Sequence, residues 1–221
     1  MPTKKITPAD LNDYDLFEFM NSGTRDYIAS RILFRNGLSG QGAILAVTCF
    51  EKTLKTIVIK LGESFRADGK GHNLTPLVDK IKSQQPNFFS EDEEKFLRRI
   101  NEAYRIRYLI SEEDDFKIFL PSHIILVHLD NLYVRLIKSS PLHEISTDSK
   151  LFDMYEKNIM PKNHLVLNNC FYNNSEEARL ISSNQWCDKY EHIKDHKTYS
   201  LKFQCYPGTK INQDWDLPVD F

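Results

Sequence analysis

Apolar residues recur every three or four positions along this chain until about Pro141, the spacing of amphipathic helices. Tyr27, Ile28, Arg31 and Phe34 follow it and predict a first helix from about Tyr14 to Asn36. Asn36-Gly37 should stop that helix, because glycine admits the left-handed cap. A second helix is predicted from Ser39 or Gln41 to Leu61-Gly62, with Ala43, Val47, Phe50, Leu54, Ile57, Val58 and Leu61 as its apolar stripe. After a glycine- and charge-rich loop, 63–71, a short helix spans about Asn73–Ser83 and tolerates Pro76 in its first turn. Ser90-x-x-Glu93 is a capping box for a fourth helix carrying Phe96, Ile100, Ala103 and Tyr104 on one face, broken by the acids at 112–115. The fifth helix, about Pro121–Ser139, is apolar on most sides and is expected to be well buried.

Pro141 marks a boundary. Beyond it asparagine is frequent, aromatics scatter and the helical period weakens. Ser175–His196 suggests one more helix, and Lys197–Tyr206 alternates like a short strand. The expected fold is all-α: a four- to five-helix up-and-down bundle at 14–142. A polar lead-in, 1–13, precedes it, and a mixed or irregular appendage, 143–221, packs on it.

One residue breaks the pattern. Arg107 lies eleven residues after Phe96, which at roughly 100° per residue places it on the apolar stripe between Phe96 and Ile100. A guanidinium keeps its charge, and burying it unpaired is costly. Either a carboxylate meets it, with Glu51 on the second helix as candidate, or that face opens onto a cleft for an anion. Composition does not choose between these. The 29 basic and 31 acidic residues leave a net charge of −2, so nucleic-acid binding must come from a local patch. Lys55 follows Glu51 by one turn and suggests a local ion pair. Tyr104 and Tyr108 flank Arg107, either to stack on a base or as core aromatics.

Four stretches resemble the HEPN superfamily of helical-bundle domains, found in nucleotidyltransferase partners, antiphage systems and RNase toxins. They are Tyr27–Leu38 at the first helix end, Phe50-Glu51-Lys52-Thr53-Leu54-Lys55 in helix two, His72-Asn73-Leu74-Thr75-Pro76-Leu77 leading into helix three, and Asn101-x-x-Tyr104-x-x-Arg107-Tyr108 ending helix four. Together they cover about residues 24–110. The resemblance implies RNA or nucleotide binding in a prokaryotic defence, toxin–antitoxin or stress setting. Ligand contacts would come from Arg107, Tyr104, Tyr108, Glu51 and Lys55. It also implies a homodimer with two copies of Arg107 lining one groove, or a protein partner such as a nucleotidyltransferase.

The departure from the family has chemical content. Its nucleases carry an arginine and a histidine with four to six residues between them, whereas positions 112, 113 and 114 here are Glu, Glu and Asp. Metal-independent RNA cleavage needs a base for the 2′-hydroxyl and a cation for the phosphorane. The resemblance therefore implies a non-catalytic member, unless His72 or His128 completes a site with Arg107. Arg66 and His72 have the family spacing but fall in a loop. A protein-binding scaffold with a structural Arg107 ion pair is the other reading.

The remaining residues narrow the chemistry. Cys170, Cys187, His192, His196 and Cys205 lack the close pair typical of structural zinc, so no metal and no cofactor are expected. Gly37-x-x-Gly40-x-Gly42 follows no strand and is not a dinucleotide fingerprint. His123 and His128 are expected as core or cap histidines, and Arg98 and Arg105 as a solvated face. The longest apolar run, Ile124–Leu129 interrupted by His128, is too short to span a bilayer, and unpaired cysteines suit a cytoplasmic setting.

Overall fold

The computed structural model describes residues 5–66, 72–104, 117–139, 141–142, 185–192 and 198–205. Five helices form an all-α bundle: α1 (Asp13–Arg35), α2 (Ser39–Lys60), α3 (Thr75–Gln84), α4 (Glu91–Ala103) and α5 (Ser122–Ile137). Their ends sit where local chemistry puts them. Asn12 caps α1: its side-chain oxygen accepts from the Asp15 N–H at 3.0 Å, and the Asp15 carboxylate accepts from the Asn12 N–H at 2.9 Å. Gly37 ends α1 at φ +75°, letting the Leu38 N–H donate to the Leu33 carbonyl at 2.9 Å. Gly62, at φ +79°, does the same for α2. Ser90 and Glu93 close the predicted box on α4. Glu93 also binds Arg135 of α5 through both oxygens, at 2.5 and 3.0 Å, so the cap of one helix fastens its neighbour.

The short α1–α2 connection makes these two helices an antiparallel pair, and α4 and α5 each bring an aromatic ring to Phe50 of α2. Phe50 meets Phe96 of α4 edge-on at 5.8 Å and Tyr133 of α5 at 6.5 Å. Tyr133 stacks on Tyr27 of α1 at 4.1 Å. The predicted stripe of α4 is core, since Phe96, Ile100, Ala103 and Tyr104 are all buried.

A polar cluster runs through this core. Arg31 is 1% exposed and Asp130 of α5 is fully buried, with Arg31 Nε 2.7 Å from Asp130 Oδ1. The Tyr27 hydroxyl donates to the same oxygen at 2.7 Å, and the Thr24 and Tyr133 hydroxyls hydrogen-bond to each other at 2.8 Å. The cluster pins α5 to one register on α1, because slipping either helix would strand a buried charge.

Two glycines lie where α1 meets α2, and their alanine variants should move stability in opposite directions. A Cβ at Gly42 would lie 3.0–3.1 Å from ring atoms of buried Phe34. That crowding outweighs the helix-propensity gain, so Gly42→Ala should cost on the order of 1 kcal/mol. A Cβ at Gly23 meets Thr53, Cys49 and Lys52 at ordinary distances of 3.4–3.6 Å. Gly23→Ala should therefore stabilise by about 0.5–1 kcal/mol. Urea unfolding of both variants checks the pair, and equal signs would show that the interface does not distinguish them.

Two small antiparallel sheets accompany the helices. Within the lead-in, β1 (Lys5–Ile6) pairs antiparallel with β2 (Phe65–Arg66), Ile6 opposite Phe65. A second antiparallel sheet has the order β3-β4-β5, from Lys117–Pro121, Gln185–His192 and Thr198–Cys205. β5 coincides with the strand predicted from alternation. β4 corrects the helix expected over Ser175–His196, because residues 185–192 are strand. β-favouring Trp186 and Tyr190 occur in this segment, and all eight of its residues have partners in β5. Cross-strand pairing overrides a weak helical period. β3 was not foreseen, since its partner lies far along the chain.

Candidate functional site

Glu51 of α2 stands where the approach to α3 meets the end of α4. Lys55, one turn on, brings its ammonium 2.5 Å from Glu51 Oε1. His72 Nδ1 contacts the other oxygen, Oε2. One carboxylate thus holds a cation and an imidazole, so the local ion pair expected of Glu51 and Lys55 is present and gains a third member.

Amides fix the turn that carries His72. Asn73 Oδ1 accepts from the Thr75 N–H at 3.1 Å, the turn an asparagine makes before a helix. Asn101 of α4 accepts from the Leu74 N–H at 2.9 Å and donates to Asn73 Oδ1 at 3.3 Å. The base of the site is aromatic. The Tyr104 ring lies 4.5 Å from His72, tilted 47°, and the Lys55 ammonium sits 5.0 Å over the Phe65 ring.

Four of the residues singled out in the sequence, Glu51, Lys55, His72 and Tyr104, therefore meet. Arg107 and Tyr108 lie outside the described residues. His72 is the outward member, 37% exposed against 19% for Lys55 and 13% for Glu51. Tyr104 is 5% exposed, its ring turned to His72 beneath the surface. Arg66 is exposed, in β2 opposite Lys5. His128 stacks on Phe96 at 5.4 Å and is half-buried, at the margin of the core rather than inside it. Arg98 is exposed, as expected of a solvated face.

The zinc candidates take strand positions. Cys187 pairs with Phe203 and Cys205 with Gln185 across β4 and β5. His192 ends β4, so the helical face expected to join it to His196 is not formed. Cys170 and His196 lie outside the described residues.

Sequence reasoning missed Arg31 and Asp130. The signal was available: opposite charges set into two otherwise apolar stripes, each needing a partner. Asn73 was also legible as a residue suited to the turn that leads into α3.

Chemically, an imidazole with Nδ1 against a carboxylate is held in one orientation, with its second nitrogen directed away. It can accept a proton or a hydrogen bond there, beside a lysine able to meet negative charge. No helix among the described residues is long and apolar enough to cross a membrane. Comparison with protein-family models, curated proteins and solved structures finds no match for this chain.

Proposed function

We propose that this chain is a HEPN-like helical domain that binds RNA or a nucleotide, in a prokaryotic defence, toxin–antitoxin or stress setting. It does so without the arginine–histidine nuclease site of the superfamily's enzymes. The observation that carries this reading is the convergence of Glu51, Lys55, His72 and Tyr104 from three separate stretches of sequence. Lys55 supplies positive charge, His72 a polar ring at the surface, and Tyr104 the support beneath it. Arg107 follows Tyr104 by one helical turn's worth of sequence and adds a phosphate contact, with Tyr108 beside it.

A labelled 12-nucleotide polyuridylate tests the reading by fluorescence anisotropy. Lys55→Ala and Arg107→Ala should each weaken binding by about 1–2 kcal/mol and lower the salt slope by about one. Arg98→Ala, on the exposed face of α4, should change little. Uniform affinity across all variants would remove this site from consideration.

A second reading is an active metal-independent RNase, favoured by the His72–Glu51 contact. A carboxylate-held imidazole can take the 2′-hydroxyl proton without a metal. Cleavage of RNA in the presence of chelator, lost in His72→Ala, is the expected result on that reading. Intact RNA after long incubation would leave binding alone.

A further inference from the structure

We infer that Glu51 fixes the proton of neutral His72 on Nδ1, and that Nε2 thereby becomes the acceptor that selects ribose over deoxyribose. The inference deepens the RNA-binding reading and rests on it. A carboxylate can only accept, so a neutral ring facing Glu51 Oε2 must present Nδ1–H to it. Glu51 is held in place from its other side, where Lys55 occupies Oε1 at 2.5 Å. The ring is held as well. Tyr104 packs against it, and the turn carrying it is fastened to α4 through Asn73 and Asn101.

Nε2 is on the opposite edge of the imidazole from Nδ1, and it then carries a lone pair and no hydrogen. Phosphate oxygens are acceptors and gain nothing from such a group. A ribose 2′-hydroxyl is a donor and fits it. Deoxyribose has no such donor, and a 2′-O-methyl group has lost its hydrogen. The division of labour follows: Lys55 meets the backbone charge shared by RNA and DNA, and His72 reads the sugar. Glu51 touches no ligand in this scheme and acts as a positioning residue.

The test uses the full chain with three 12-mers of one sequence, the ribo-, deoxyribo- and 2′-O-methyl oligouridylates, at pH 8. RNA should bind at least about tenfold more tightly than either analogue, and the ratio should fall to near one in His72→Ala. The near-isosteric Glu51→Gln can donate to the ring as well as accept, so it should also collapse the ratio while the protein stays folded. A nitrogen-15 spectrum gives a readout independent of affinity. His72, assigned by its loss in the alanine variant, should show a protonated Nδ1 in the wild type and a changed tautomer in Glu51→Gln. Equal binding of the three oligonucleotides would overturn ribose selection and leave nucleic-acid binding standing. Failure to bind any of them would overturn both. An Nε2–H tautomer in the wild type would overturn the inference whatever the affinities.

Discussion

Asp130→Ala should lower the unfolding free energy by about 3–5 kcal/mol, a large share of what a domain of this size possesses. The carboxylate is fully buried, paired with the Arg31 guanidinium at 2.7 Å and accepting from the Tyr27 hydroxyl at 2.7 Å. Alanine leaves a permanent cation in the core without this counter-charge and a phenol without this acceptor. Arg31→Met combined with Asp130→Leu should recover much of the loss, because apolar residues of similar volume often replace a buried pair at little cost. Denaturant unfolding of the single and double variants decides the matter. A loss below about 1 kcal/mol for Asp130→Ala would mean that the pair contributes nothing beyond its packing.

Alkaline pH should destabilise the fold steeply. Burial, reinforced by the Asp130 charge, pushes the Tyr27 hydroxyl well above its ordinary range. Burial does the same to Tyr133, and to the Cys49 thiol, which also lies near Asp26. Each group keeps its proton in the folded protein at a pH where the unfolded chain has released it. The folded state then binds more protons, so stability falls as pH rises. The contribution is present in full below the unfolded values, about 8.5 for cysteine and 10 for tyrosine. Above them each group removes about 1.4 kcal/mol per pH unit until its folded value is reached. The guanidinium midpoint should therefore begin to fall between pH 8.5 and 10, by these ordinary values, and drop sharply above. Tyr27→Phe should reduce the slope by close to one proton, though it also lowers stability at neutral pH by about 1 kcal/mol through the lost hydrogen bond. An unchanged slope in that variant would show that Tyr27 titrates normally.

Much of the architecture could be read from local pattern, and the limits of that reading are physical. The capping box at Ser90 and Glu93, the stops at Gly37 and Gly62 and the stripe of α4 involve neighbours three or four residues apart. β4 was misjudged because its stabilising partners, β3 and β5, are not local to it. The buried charge is a subtler case. Arg31, between Tyr27 and Phe34, is a cation in an apolar stripe just as Arg107 is by its spacing. Only the packing of α5 on α1 shows that Asp130 answers it.

The candidate site divides in the same way. Glu51, Lys55 and Tyr104 could be named from residue type and spacing, His72 through the family resemblance, and the i,i+4 pairing of Glu51 with Lys55 from spacing alone. The sequence alone determined the helices, their caps and the faces they bury, because these depend on contacts within a turn or two of chain. The tertiary structure decided that His72 reaches Glu51 across 21 residues and rests on Tyr104. It also decided that Arg31 is met from within. Those contacts depend on how separate helices are brought together, and no local spacing encodes that.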